Sequence, residues 1–168
     1  RLASDFNDIL SRYPHLTVMK SISKSYGVPG LRLGVLASAD KELIEWMRKD
    51  VAIWNINSFA EFYMQIFGKY EDDYRQASRL FVEERARFQK ELSAISWLRV
   101  IPSQANYFLC EVLDKYTSKD LLKLLLIKYG VLIKDCSTKS GFEGRNYIRI
   151  AVRGKADNDK LVESLKKL

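Results

Sequence analysis

One long helical pattern divides this sequence into two parts. Apolar side chains recur at three- and four-residue spacing between Asp72 and Ile95, at Tyr74, Ala77, Phe81, Phe88, Leu92 and Ile95. Side chains at that spacing lie on one face of a helix, so the pattern predicts a single amphipathic helix. We place a domain boundary where this helix begins and predict two regions, residues 1–70 and residues 71–168.

Strand and helix patterns alternate after the long helix. They predict two strands joined by a turn at 98–112, a helix at 117–130, strands at 131–136 and 146–153, and a closing helix at 157–168. Ser118 is the predicted N-cap of the helix at 117–130, and Gly130 is the residue that ends it. Alternation of this kind predicts a small α/β or α+β domain.

The first region has too few strands for a domain of its own. Short apolar strands, expected to be buried, are predicted at 16–22 and 31–38, separated by the loop SKSYGVPG, and a helix capped by Asp40 follows. Two strands cannot bury both faces of a sheet by themselves. We therefore interpret this region, which has no initiator Met, as the remnant of a larger domain. Its aromatic residues are expected in a core or an interface, namely Trp54, Phe59, Phe62 and Phe67.

Composition argues against several classes of protein. Apolar residues make up 47% and charged residues 29%, which is typical of soluble globular chains, and no apolar run reaches the roughly 18 residues of a membrane span. The net charge is +7, but basic and acidic residues are interleaved, as in EERARFQKE, which indicates a solvated face. The N-terminus shows no signal-peptide pattern. We expect a cytoplasmic protein without nucleic-acid or membrane partners.

No metal site is predicted from the cysteines or the histidine. Cys110 and Cys136 lie in apolar, strand-like segments without metal-ligand spacing, and we expect both to be reduced core residues, as in a cytoplasm. His15 is the single histidine, lies in a polar connector and is expected at the surface.

The segment SISKSYGVPGLRLG, residues 21–34, carries the clearest chemistry. Lys24 stands between two serines at the end of a predicted strand, and the glycines that follow let the backbone approach a ligand closely. Ser21 and Ser23 offer hydroxyl groups to an anion, and Arg32 can bind a phosphate through two hydrogen bonds. A nearby cation also disfavours the charged form of an amine, as imine formation requires. The segment thus predicts a phosphate site beside a nucleophilic amine.

This segment resembles the lysine signature of the class I and II aminotransferases, which use pyridoxal 5'-phosphate (PLP). It is most similar to the branch of histidinol-phosphate aminotransferase and threonine-phosphate decarboxylase. The resemblance implies that Lys24 forms the imine with PLP and later moves a proton, while Ser21 and Arg32, with Ser23 as a further contact, bind the cofactor phosphate. The implied fold is the α/β PLP-transferase fold type I, with residues 71–168 as its small C-terminal domain.

The resemblance continues in the second region. PSQANYFL, residues 102–109, is similar to a small-domain strand of this branch, and NYIRIAVR to the strand whose Arg binds the substrate α-carboxylate. This similarity points to Arg149, which alternation turns away from the apolar side of the strand, with Arg153 as the runner-up. In VLIKDC, Lys134 stands where the family often has an Arg for a distal substrate phosphate. A Lys binds phosphate as a point charge.

The resemblance implies amino transfer between a small amino acid, plain or phosphorylated, and a 2-oxo acid, in a homodimer. The alternatives are decarboxylation of a phospho-amino acid and a non-catalytic domain descended from such an enzyme. The family residues that contact the PLP ring, and its glycine-containing phosphate loop, precede Arg1. We therefore expect the isolated chain to be inactive.

A rival enzyme class shares part of the motif. Ser21 and Lys24 also fit the Ser-x-x-Lys motif of penicillin-binding proteins and β-lactamases, and KSG at 139–141 resembles their Lys-Thr-Gly triplet. That chemistry needs Ser and Lys one turn apart on a helix, which Gly27 and Pro29 disfavour. Neither Ser-x-Asn nor Tyr-x-Asn occurs in the chain, so we reject this class.

Overall fold

A computed structural model describes residues 6–142 and 144–168. Its helices are α1 (Phe6–Arg12), α2 (Ile22–Ser25), α3 (Lys41–Asp50), α4 (Ser58–Phe67), α5 (Glu71–Ser93), α6 (Ser118–Tyr129) and α7 (Lys155–Lys166). Its strands are β1 (Thr17–Ser21), β2 (Gly34–Ser38), β3 (Leu98–Val100), β4 (Tyr107–Val112), β5 (Lys134–Asp135) and β6 (Tyr147–Ala151). Single 3-10 turns lie at Pro29–Leu31 and Gly68–Tyr70. Within the described part of the chain, no helix has the length and apolar content that crossing a bilayer requires.

The chain divides into two compact units, the first ending at Arg75 and the second beginning at Gln76. The predicted long helix is confirmed as α5, which begins at Glu71. That residues 1–70 are the remnant of a larger domain stays a prediction.

The second unit is built on a four-stranded antiparallel sheet with the order β3-β4-β6-β5. Its core consists of buried apolar side chains from this sheet and from helices α5, α6 and α7, among them Phe88, Leu92, Phe108, Leu121, Leu125, Ile148, Ile150 and Leu165. Cys110 and Cys136 are buried and free of disulfides, as expected of core cysteines, and burial raises the pKa of Cys110 to about 12. The Cys110 thiol therefore behaves as an apolar core group.

Capping residues define helix ends in both units, and one predicted cap is corrected. Asp40 caps α3 through a 2.9 Å hydrogen bond from the backbone N–H of Leu43, as predicted. Thr117 caps α6, because its hydroxyl accepts from the N–H of Asp120 at 3.1 Å. The prediction that Ser118 is the cap is wrong by one residue, since Ser118 is the first residue of the helix and is buried. Gly130 ends α6 in the left-handed conformation, as expected.

A buried amide fixes the chain after β6. The Oδ1 atom of Asn158 accepts from the N–H of Arg153 at 3.0 Å, and its Nδ2 donates to the carbonyl of Arg153 at 2.9 Å and to Oε1 of Glu84 at 2.7 Å. Glu84 also accepts from Arg87. Polar groups on α5 and α7 thus satisfy one another at the edge of the core.

The first unit contains a separate two-stranded sheet in which β1 and β2 pair antiparallel, from Thr17 opposite Ser38 to Ser21 opposite Gly34. The expectation that these strands are buried is wrong: Met19 is 77% exposed and Val35 51%. A sheet of two strands cannot bury its own apolar faces, and this is the reason for which we predicted the remnant of a larger domain. Of the aromatic residues expected in a core or an interface, Trp54, Phe59 and Phe62 are exposed, so they form no core here.

Candidate functional site

The loop between β1 and β2, residues 22–33, contains the predicted lysine. Strand β1 ends at Ser21, and α2 follows at once as a single helical turn. Gly27 then adopts a φ of 69°, which reverses the chain at a position that favours glycine. The expectation that no helix starts here is wrong, because Gly27 lies after the turn and ends it without preventing it. Ser21 and Lys24 are thus one turn apart, although the turn stops at Ser25.

Ser23 fastens the base of the loop. It is buried, its hydroxyl donates to the carbonyl of Leu33 at 3.2 Å, and it accepts from the N–H of Leu33 at 2.6 Å. The backbone N–H of Ser23 also donates to the carbonyl of Leu33. These bonds give Ser23 a structural role and turn its hydroxyl inward, and its contact with a phosphate stays a prediction. They also bring the neighbours of the pair, Lys24 and Arg32, to the same end of the loop.

Arg32 has an unusual backbone conformation. Its φ of 54° and ψ of 36° are left-handed, and among the described residues it is the only one other than glycine with a positive φ. A side chain in this region costs roughly 1–2 kcal/mol, so the surrounding structure must impose it. Such strain concentrates at ligand-binding sites.

Aromatic rings support the loop beneath Lys24. The hydroxyl of Tyr74 donates to the carbonyl of Ser25 at 3.1 Å, and the ring of Tyr26 lies 4.5 Å from that of Tyr74 and 4.8 Å from that of Phe67, measured between centroids. An apolar cavity of about 210 Å³ lies beside these rings and is also lined by Ile22 and Leu33. The loop therefore rests on packed side chains, and the exposed Lys24 projects from a supported turn.

The exposed groups of the loop suit a phosphorylated cofactor. Lys24 and Arg32 are exposed, and neither forms an ion pair with a carboxylate of the described residues. Ser21 is exposed as well, and its side chain makes no capping bond to α2. Two unpaired cations and a hydroxyl group are donors that a phosphate dianion accepts. These residues fit PLP by the chemistry of their donors.

A second candidate site lies in the second unit, where Lys134 on β5 stands directly opposite Arg149 on β6. Both side chains are exposed, and Arg149 lies between the buried Ile148 and Ile150, as the alternation predicted. Like charges directly opposite each other repel across a sheet. Neither cation has a carboxylate partner within the ranges 6–142 and 144–168. Among the described residues the pair therefore lacks a counter-ion, which an anionic ligand would supply.

The surroundings of this pair form a cavity of about 620 Å³, lined by Lys134, Arg149, Asp135 and Thr138 together with apolar residues. The guanidinium of Arg149 lies 5.3 Å from the centre of the Tyr107 ring, a cation–π contact that restricts it. Partial burial works against ionisation of Asp135, but hydrogen bonds from the N–H and hydroxyl of Ser137 outweigh it and lower the pKa of Asp135. Asp135 therefore stays ionised, with Ser137 as its partner.

The runner-up Arg153 is engaged elsewhere. Its Nε donates to Asp157 at 2.7 Å, in an exposed ion pair within one turn of α7. Arg153 thus has a carboxylate partner, whereas Arg149 has none among the described residues, and the substrate role of Arg149 stays a prediction.

Two residues of the loop's environment escaped the sequence prediction. Asn57 donates to the carbonyl of Leu31 at 2.9 Å, and Tyr74 to that of Ser25. They are 26 and 49 residues from these partners, so no local pattern could reveal them. Only the Asn preceding an apolar helix pattern gave a signal, and that signal indicates a helix cap.

The chain is similar to one family model and to several known proteins. Residues 3–165 match the family model "Aminotransferase class I and II". The chain is 34% identical to L-serine phosphate decarboxylase of Campylobacter jejuni, over 96% of this chain and 43% of that protein, and 34% identical to threonine-phosphate decarboxylase of Salmonella typhimurium, over the same shares. The structure of histidinol-phosphate aminotransferase from Clostridium acetobutylicum matches with a TM-score of 0.84 at 28% identity, over 99% of this chain and 49% of that one.

The chain thus spans less than half of each of these proteins. The match nevertheless covers both units, and the family and its members depend on PLP. The expected α/β PLP-transferase fold type I and the expected branch are confirmed. This chain belongs to the class I and II aminotransferase family of PLP-dependent proteins.

Proposed function

We propose that this chain is part of a PLP-dependent enzyme that acts at the Cα atom of a phosphorylated amino acid. The observation that carries this proposal is the loop geometry, in which the Ser23–Leu33 hydrogen bonds bring Lys24 and Arg32 to one end of a loop. Neither cation pairs with a carboxylate in the part of the chain that the structure describes. Amino transfer is the reaction predicted from the sequence. Decarboxylation is the second candidate, because relatives named as decarboxylases of serine phosphate and threonine phosphate are 34% identical to the chain.

Each polar residue has a distinct part in this proposal. The amine of Lys24 would hold the cofactor covalently and, in amino transfer, would take the proton from the substrate Cα and deliver it to the C4′ atom of the cofactor. Ser21 and Arg32 bind the cofactor phosphate. Bound PLP supplies the electron sink that stabilises negative charge at Cα.

The cations of the second unit would bind the substrate. Arg149 has the fork geometry that a carboxylate accepts, so we assign it the α-carboxylate. Lys134 stands opposite Arg149 and would bind the distal phosphate as a point charge. Because neither cation pairs with a carboxylate of the described residues, a doubly anionic amino acid suits them better than a neutral side chain. The exposed aromatic side chains of Trp54, Phe59 and Phe62 support assembly into a homodimer, and we expect the protein in the cytoplasm.

Covalent trapping tests the assignment of Lys24. Borohydride reduction of the full-length protein with PLP should leave a pyridoxyl group on Lys24, located by mass spectrometry. Lys24→Ala should abolish the label, whereas Lys20→Ala, which removes an exposed lysine of β1, should retain it. A label on another lysine, or none, would contradict the proposal.

A substrate comparison tests Lys134. Lys134→Ala should raise the KM for serine phosphate or threonine phosphate about 10- to 100-fold, as loss of a charge-assisted bond does, and should leave an unphosphorylated amino acid nearly unaffected. Lys134→Arg is the matched control and should retain most of the affinity. The two reactions are distinguished by measuring the release of carbon dioxide and, separately, the transfer of the amino group to a 2-oxo acid. Equal effects on both kinds of substrate would remove Lys134 from the phosphate site.

A further inference from the structure

The left-handed backbone of Arg32 is fixed by hydrogen bonds on both sides. On the C-terminal side, both backbone groups of Leu33 bond to Ser23. On the N-terminal side, the carbonyl of Leu31 accepts from Nδ2 of Asn57 at 2.9 Å. Arg32 thus lies between two anchored peptide groups, and these anchors set the direction in which its side chain leaves the loop.

Asn57 is itself held in a single orientation. Its Oδ1 accepts from the backbone N–H of Ala60 at 3.0 Å, which makes Asn57 the N-cap of α4. Because the oxygen is occupied at the helix, the amide nitrogen must point away from it, towards Leu31. One side chain therefore joins the start of α4 to the residue that precedes Arg32.

We propose that Asn57 is a positioning residue for the cofactor phosphate, acting through the backbone of Arg32. Without its bond to Leu31, one side of Arg32 is free to relax from the left-handed region to a more favourable conformation. The guanidinium would then leave the direction in which it meets the phosphate. This inference rests on the proposed role of Arg32, and it adds a residue about which the lysine signature says nothing.

The test separates phosphate binding from the rest of the cofactor. Full-length apoprotein is titrated with PLP and, separately, with pyridoxal, which has the same ring and aldehyde but no phosphate, and binding is followed by the absorbance of the attached cofactor. Asn57→Ser keeps a neutral capping group for α4 but is too short to reach Leu31 as well. Asn57→Ser should weaken the binding of PLP about three- to ten-fold and change the affinity for pyridoxal less than about two-fold.

Two further variants make the result specific. Asp40→Ser replaces the cap of α3 in the same unit, which contacts Leu43 and not the loop, and should leave both affinities unchanged. Arg32→Ala should lose the preference for PLP over pyridoxal. In the Arg32→Ala background, Asn57→Ser should weaken PLP binding little further, because the effects of two residues that act through one contact do not add.

The outcomes are distinguishable. Equal weakening of PLP and pyridoxal, no weakening at all, or the same fold-loss in the Arg32→Ala background as in the wild type would overturn the positioning role of Asn57. A wild-type protein that takes up neither ligand on Lys24 would instead refute the proposed function, and the inference with it.

Discussion

The second unit buries a continuous set of large apolar side chains from three strands and three helices, whereas the described part of the first unit buries only Leu10, Leu33 and Ala60 among its apolar residues. The first unit is organised by hydrogen bonds instead, and these converge on one loop through Ser23, Asn57 and Tyr74. The comparison shows that stability and chemistry are distributed unequally. One unit has a core of its own, and the other orders a reactive loop while leaving apolar surface exposed.

The largest expected effect tests the core. Phe88 is fully buried in the second unit and its ring packs against Phe108. Phe88→Ala should lower the free energy of unfolding by about 3–5 kcal/mol, measured by urea denaturation, because it removes apolar contacts and leaves a cavity. Trp54→Ala in the first unit should change it by less than about 0.5 kcal/mol, since Trp54 is 90% exposed. Similar losses for both variants would show that the contrast between the units is wrong.

The next prediction concerns pH. Hydrogen bonds from Arg87 are the main cause that lowers the pKa of Glu84 from its ordinary 4.5, against the opposing effect of burial. A carboxylate with a lowered folded-state pKa stabilises the protein above its unfolded-state pKa, and this stability is lost as the pH falls through the folded-state value. Glu84→Gln should therefore destabilise the second unit at pH 7, and the difference from wild type should shrink below about pH 4.5.

Thermal unfolding across the pH range measures this difference. Glu83→Gln is the matched control, because Glu83 is the preceding residue on α5, is exposed and forms no ion pair within the described ranges. Its stability should run parallel to that of the wild type. A Glu84→Gln curve parallel to wild type would show that this partly buried network does not stabilise the second unit.

The smallest expected effect compares two left-handed residues, one in each unit. Arg32 carries a side chain at φ 54°, whereas Gly130 has none at φ 61°. Arg32→Gly should raise the free energy of unfolding of the apoprotein by about 0.5–1 kcal/mol while abolishing phosphate binding, and Gly130→Ala should lower that free energy by about 1 kcal/mol. Both changes are measured as shifts of the melting temperature. If Arg32→Gly is destabilising, the left-handed conformation of Arg32 does not lower the stability of the folded protein.

Features governed by local pattern could be predicted from the sequence. The long helix α5, the Asp40 cap, the end of α6 at Gly130 and the exposure of Arg149 all follow from spacing within a few residues. The position of Lys24 beside a strand end followed from the same kind of signal, and the resemblance supplied its chemistry.

Features that depend on distant contacts could not be predicted. The inward turn of Ser23 depends on Leu33, and the support from Asn57 and Tyr74 on partners far along the chain. Burial of β1 and β2 was predicted from apolar content, but burial requires a covering layer that no local pattern specifies. Propensity likewise placed the α6 cap at Ser118, while the backbone conformation that a cap requires occurs at Thr117.

The short strand β5 has a consequence for how this protein can change. Because neighbouring side chains alternate between faces, a slip of one residue would place Asp135 opposite Arg149 in place of Lys134. Arg149 would then face a carboxylate in an internal ion pair instead of a second cation, without any substitution. Deletion of a single residue between Gly130 and Lys134 is therefore a route by which a descendant of this chain could lose its pair of facing cations.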